Sequence, residues 1–224
     1  NIPSVSVTYA QNGNSTKSNE LGMREMQERS YEKRGEQYLL IKSPPASGKS
    51  RALMFIALDK LANQGLKQAL VVVPEKSIGA SFNDEPLSKF GFWADWIVAP
   101  KWNLCNSPGT DGGKVKSVGA FLASDAQILV CTHATFRFAV DKYGVEAFDD
   151  RLIAIDEFHH VSANPDNKLG RHLGGFMARD KVHMVAMTGS YFRGDADAVL
   201  SPEDEAKFQS VTYTYYEQLN GYQY

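Results

Sequence analysis

The chain has 224 residues, of which 43% are hydrophobic and 22% charged. That is enough for one large α/β domain or two small ones with a real core, and too ordinary a mixture for a disordered or collagen-like chain. A formal net charge of −2 argues against a protein that coats duplexes through bulk positive charge, so any nucleic-acid contact has to come from a local patch. No apolar run approaches the ~20 residues of a membrane helix, and no basic-plus-apolar signal pattern opens the chain.

In chain order, Asn1 to Glu20 is polar, rich in Ser, Asn, Thr and Gly, and reads as a flexible or irregular arm. The chain starts without Met, as an excised fragment does. Residues 21–224 read as a single domain. Leu21 to Lys33 is helix-compatible, and Tyr38 to Ile41 is a short strand before the turn cluster Ser43-Pro44-Pro45-Ala46-Ser47-Gly48. A helix follows, with Leu53, Ile56, Ala57 and Leu61 at helical spacing and Gly65 as its stop. Ala69 to Val73 is a continuous apolar run closed by Pro74, which suits a parallel strand covered on both faces. Ile97 to Ala99 reads as a weaker strand and Asn103 to Gly113 as a loop. Beyond them a helix is expected near Val115 to Ala123, a strand at Gln127 to Cys131 and a helix at Phe136 to Tyr143. Strands are predicted again at Leu152 to Ile155 and Val182 to Met187, and the aromatic, β-branched tail from Val211 to Tyr216 reads as an edge strand. The alternation predicts an α/β fold, a mostly parallel sheet with helices on both faces. Cys105 and Cys131 lie outside any metal-ligand spacing, so two reduced thiols of a cytosolic protein are expected rather than a zinc site.

Two features carry chemistry. Gly48-Lys49-Ser50, between a strand and a helix, has the form of a phosphate-binding loop. Backbone N–H groups around Ser47 and Gly48 and the helix start would face phosphate oxygens. Lys49 would reach the β and γ phosphates, and Ser50 would hold Mg²⁺. Taken alone, an ordinary strand-to-helix turn can contain the same tripeptide. The second feature is Asp156-Glu157, directly after the apolar run 152–155. Ligands of open α/β sheets bind at the carboxyl ends of strands. Asp156 there could hold Mg²⁺ and Glu157 could orient and deprotonate water, a minimal set for phosphoryl transfer. His159 and His160 are adjacent and so point in different directions, a poor start for a metal site.

Together these residues resemble superfamily-2 helicases. Asp156-Glu157-Phe158-His159 is similar to their DExH box, and Ser43 to Ser50 to their motif I. Thr188-Gly189-Ser190 is similar to motif III, Val73 to Lys76 to motif Ia, and Thr132-His133 to a backbone-contacting element. Arg24 and Gln27 resemble the R-x-x-Q element that reads adenine. Tyr191 to Asp195 resembles a segment of restriction-system helicase subunits.

The resemblance implies a RecA-like P-loop NTPase domain, ATP and Mg²⁺ as ligands, and nucleic acid, DNA before RNA, as partner. It implies that His159 couples the nucleotide site to Thr188 and Ser190, and that Lys76, Thr132 and Arg137 lie towards the nucleic-acid strand. It also implies a second RecA-like domain in the full-length protein, whose arginines are worth about 10³ to 10⁵ in turnover in related NTPases. Partner subunits of a larger complex fit the same picture. The isolated chain is expected to bind nucleotide weakly and to turn over slowly. Two departures stand out, Ser43 in place of the first motif I glycine and Ala46 in place of another. They keep open a catalytically degenerate RecA-like binding module, and another kind of P-loop NTPase also remains open. The decisive expectation is spatial: Lys49 and the 156–157 pair should meet at one rim of the sheet.

Overall fold

Six short strands pair into one sheet in the computed structural model, which describes residues 18–44, 47–75, 80–106, 109–163, 168–189, 200–214, 216–217 and 219. The strands are β1 (Tyr38–Lys42), β2 (Gln68–Val73), β3 (Ile128–Thr132), β4 (Arg151–Ile155), β5 (His183–Thr188) and β6 (Gln209–Thr212). Their order is β3-β2-β4-β5-β1-β6, and every neighbouring pair is parallel. All six residues of β2 are buried, as are the last four of β4 and the last five of β5. Successive side chains of a strand point to opposite faces, so unbroken burial means that both faces are covered.

The helices are α1 (Glu25–Tyr31), α2 (Lys49–Asn63), α3 (Asp111–Leu122), α4 (His133–Tyr143), α5 (Lys168–Arg179) and the short α6 (Pro202–Glu205). α1 lies against α2, and α3 and α5 both lie against α4. No described helix is long and apolar enough to cross a membrane. Cys105 and Cys131 are both buried free thiols, and burial pushes the Cys131 thiol well up. The described strands all lie in one sheet, while residues 1–17 of the expected arm lie outside the described residues.

Three expectations change. Residues 97–99 form no strand: the Val98 N–H donates to Asp84 Oδ1 at 2.8 Å rather than to a ladder, and Ile97 is exposed. The neighbouring Trp96 makes an isolated antiparallel bridge to Glu85, and Pro100 then opens a 3-10 turn. The edge strand is Gln209–Thr212, not Val211 to Tyr216. Its last ladder bond runs from Tyr213 N to Lys42 O at 2.8 Å, after which Glu217 N donates to Thr214 Oγ1 and closes a turn. The first helix is shorter than Leu21 to Lys33, because Asn19 Oδ1 accepts from the Leu21 and Met23 N–H groups and holds that stretch as a turn.

α5 follows the expected strand β4 in a stretch where no element was predicted. Its buried Leu169, Leu173, Phe176 and Met177 make a helical stripe, and Phe176 packs with Phe136 and Phe148 at centroid distances of 6.0 and 5.6 Å.

At the rim away from the loops described below, a buried polar cluster ties α2 to β5. Lys60, fully buried, donates to Glu36 O at 2.9 Å, Gln64 Oε1 at 3.3 Å and His183 Nδ1 at 2.7 Å. Burial lowers Lys60 to about 8, and burial followed by the Lys60 charge lowers His183 to about 4. The unfolded chain takes up the His183 proton first as pH falls from the ordinary 6.5. The stabilisation is therefore present above that value and is lost as pH falls through about 4. We expect urea midpoints to drop between pH 6.5 and pH 4.5 by less in His183→Gln than in the wild type, the difference corresponding to up to about one proton. Equal pH slopes in the two proteins would remove His183 from this account.

Candidate active site

Parallel pairing puts the carboxyl ends of all strands on one rim, and the loops that leave them meet there. β1 ends at Lys42, in register with Thr188 of β5. The Ser43 N–H then continues the ladder to Thr188 O at 3.0 Å. The loop turns back at Gly48, whose φ of +90° lets Lys49 begin α2. Two hydroxyls brace it: Ser47 Oγ donates to Pro44 O at 2.6 Å and also bonds Ser43 Oγ. Ser43 is absent from the positive-φ residues, which explains why serine can stand where motif I has glycine. Ala46 lies outside the described residues.

Asp156 continues β4, its N–H donating to Val72 O at 2.9 Å. Glu157 follows with φ +51°, a left-handed conformation uncommon for a residue with a side chain. Its amide donates to Asp156 Oδ1 at 3.0 Å. The turn brings Glu157 Oε1 to 3.6 Å from Lys49 Nζ and Glu157 Oε2 to 3.8 Å from His159 Nε2. His159 Nδ1 lies 2.7 Å from Thr188 Oγ1. A proton on Nε2 suits the facing carboxylate and leaves Nδ1 to accept from the Thr188 hydroxyl. Lys49, Glu157, His159, Thr188 and Ser43 thus form a continuous chain of contacts that returns to the loop carrying Lys49.

A cavity of about 550 Å³ opens over this chain, lined by Arg24, Gly48, Lys49, Ser50, Arg51, Met54, Ser81, Glu85, Asp156 and Glu157. Of the residues expected to bind nucleotide or metal, Arg24, Gly48, Lys49, Ser50, Asp156 and Glu157 are at its wall. Ser47 is not, since its hydroxyl is turned into the loop. Gln27 is not either: it is 1% exposed and sits behind Gly48. There its Oε1 accepts from Arg24 N at 2.8 Å and its Nε2 donates to Gly48 O at 3.1 Å. Gln27 therefore staples the loop to α1.

The sequence reading missed Arg51 and Glu85. Arg51 Nη2 donates to Glu85 Oε1 at 2.6 Å across the cavity wall. Arg51 follows Ser50 directly and could have been placed on the first turn of α2, whereas no local signal marks Glu85, which comes from a distant loop.

Among the expected nucleic-acid contacts, Thr132 caps α4 by accepting from Thr135 N at 3.2 Å. Arg137 lies over the Phe138 ring at 4.5 Å, with its Nε buried and without a hydrogen-bond partner among the described residues. Lys76, Ser190 and the segment Tyr191 to Asp195, on which the restriction-system likeness rests, lie outside the described residues.

Residues 24–196 match the profile of the family described as DEAD/DEAH box helicase. The chain belongs to that family. It is 57% identical over 220 residues to the Bacillus subtilis (strain 168) protein named "Putative ATP-dependent helicase YeeB", covering 98% of this chain and 36% of the relative. The chain thus spans about a third of that relative's length. Among solved structures, the Pyrococcus furiosus Hef helicase domain superposes with a TM-score of 0.57 at 18% identity, covering 88% of this chain and 39% of that one. The UvsW helicase of bacteriophage T4 gives 0.54 at 15%, covering 85% and 60%. The helicase Lhr of Mycobacterium smegmatis, bound to ssDNA and AMP-PNP, gives 0.53 at 19%, covering 84% and 25%. At these identities the likeness is one of fold, and the fold is the RecA-like one of helicase domains.

Proposed function

We propose that this DEAD/DEAH box domain binds and hydrolyses ATP as half of a nucleic-acid-dependent helicase or translocase acting in the cytoplasm, on DNA in preference to RNA. The observation that carries the reading is the approach of Lys49 Nζ to Glu157 Oε1, 3.6 Å across a cavity that Ser50 and Asp156 also line. One cation and one hydroxyl at a helix start, with two carboxylates at a strand end, form the set that a magnesium–triphosphate needs. Among the described residues no group of three or more His, Cys, Asp or Glu could hold a metal ion. A Mg²⁺ ion would therefore draw on Ser50, Asp156, phosphate oxygens and water, as this hard cation commonly does. Bound there with ATP, it would supply charge neutralisation.

The chain's own residues divide the remaining work. Lys49 faces the β and γ phosphates. Glu157 aims and deprotonates the attacking water, while His159 and Thr188 hold it and link it to β5. Arg24 stands at the wall for the base, with Gln27 behind it. Thr132 and Arg137 face the nucleic-acid strand. A second RecA-like domain would complete the site, in keeping with the greater length of the B. subtilis relative. This stretch alone should then bind nucleotide weakly and turn it over slowly.

Lys49→Ala tests the reading. In the full-length protein it should weaken binding of a fluorescent Mg-ATP analogue by tenfold or more, about 1.4 kcal/mol at least, and abolish ATPase stimulated by single-stranded DNA. Unchanged nucleotide affinity would favour a scaffold over a working site.

A further inference from the structure

The division of labour above gives no task to His133, yet its imidazole joins two parts of the rim that the sheet keeps apart. His133 is the first residue of α4, directly after edge strand β3, and β2 separates β3 from β4. His133 Nε2 nevertheless lies 3.0 Å from the backbone carbonyl oxygen of Asp156. A carbonyl oxygen only accepts, so Nε2 carries the proton. The other end of the same peptide unit, the Glu157 N–H, donates to Asp156 Oδ1 at 3.0 Å. The 156–157 peptide is thus gripped on both sides, by an imidazole from α4 and by the side chain that precedes it. Its orientation sets where Glu157 points, and Glu157 has the φ of +51° noted above. Rotation of that peptide would swing the Glu157 carboxylate away from Lys49.

We infer that His133 is a positioning residue that makes the aim of Glu157 depend on what occupies the start of α4. The inference rests on the helicase reading, in which Thr132 and Arg137, beside and one turn beyond His133, face the nucleic-acid strand. A nucleic-acid phosphate held at the start of α4 fixes the His133 backbone, and the rigid imidazole carries that constraint to the Asp156 carbonyl. Without it the start of α4 is less firmly fixed, and so is the imidazole that meets the Asp156 carbonyl at 3.0 Å. His133 is not among the residues lining the cavity, so its effect belongs in turnover with nucleic acid present and not in nucleotide affinity.

The test is steady-state ATPase of the full-length protein with and without single-stranded DNA, for wild type, His133→Ala, His133→Leu and His133→Gln. A misplacement of about 1 Å at the reacting groups can cost about 10²-fold. Turnover at saturating DNA should therefore fall about tenfold or more in the Ala and Leu variants. The ATP KM and the apparent DNA affinity should each stay within about threefold, and the DNA-independent rate should fall by less than the stimulated one. Gln, whose amide N–H reaches as far as Nε2, should restore most of the stimulation. If Ala does not fold, the comparison of Gln with the similar-sized Leu decides the same question. Full turnover at saturating DNA in the variants, loss only through weaker DNA binding, or Gln no better than Leu would each overturn the inference alone. A wild type that DNA does not stimulate would instead overturn the helicase reading on which the inference stands.

Discussion

Glu157→Gln is expected to lower ATP turnover by about 10² to 10⁴, the range for removing a positioned general base, while ATP affinity holds or tightens. The substitution keeps the side chain's length and its place on the left-handed turn, so the backbone has no new reason to move. It removes the negative charge 3.6 Å from Lys49 and 3.8 Å from His159. That charge has two opposed effects. It draws the Lys49 ammonium across the cavity, towards itself and away from an incoming phosphate. It also provides the proton acceptor that an attacking water requires. The glutamine variant releases Lys49 to the nucleotide and leaves water without a base, so binding and turnover should part in opposite directions. Equilibrium binding of a Mg-ATP analogue and single-turnover hydrolysis separate the two. Turnover within threefold of wild type would assign Glu157 a structural role and move the base elsewhere on the rim.

How much of this was legible in the sequence depends on the range of the interactions. Strands β1, β2, β4 and β5 were readable because burial on both faces demands uninterrupted apolar runs, and Tyr38 to Ile41, Ala69 to Val73, Leu152 to Ile155 and Val182 to Met187 have nothing else to do. Asp156 and Glu157 were readable because they leave such a strand at once, and Lys49 because it opens the helix after the turn that leaves another, so a parallel sheet carries them to one rim. α5 escaped because Gly170, Gly174 and Gly175 lower its local helix propensity by about 1 kcal/mol each. It is the tertiary seat of Leu169, Leu173, Phe176 and Met177 that makes it helical. Residues 97–99 misled for the complementary reason. Three apolar residues suggest a strand, but Asp84 takes the Val98 N–H and no ladder is available. The partners found only in three dimensions, Glu85 on Arg51, His133 on Asp156 and Gln27 on Gly48, are separated by 21 to 34 residues. No periodicity encodes contacts at that separation.

The last of those partnerships predicts that Gly48→Ala is far more harmful than the same change at Gly65. Both glycines have positive φ, +90° and +76°, and at either the strain of a side chain in that conformation costs about 1–2 kcal/mol. At Gly65 nothing lies within 4 Å of the added carbon, so the cost ends there. At Gly48 the new carbon meets the Arg24 guanidinium and the Gln27 amide at once. Flexible side-chain ends usually yield cheaply, but the Gln27 amide is buried and tied to Arg24 N and Gly48 O. Displacing it forfeits hydrogen bonds worth about 1 kcal/mol each. Gly48→Ala should therefore destabilise by about 2–4 kcal/mol in total, against about 1–2 for Gly65→Ala. It should also weaken nucleotide binding, because Arg24 is pushed within the cavity that it lines. Adding Gln27→Ala to Gly48→Ala should recover part of the stability, since neighbouring substitutions that share a clash are not additive. Thermal unfolding of the two single variants and the double one measures each step. Equal losses at Gly48 and Gly65 would mean that the staple between α1 and the phosphate loop contributes nothing beyond backbone strain.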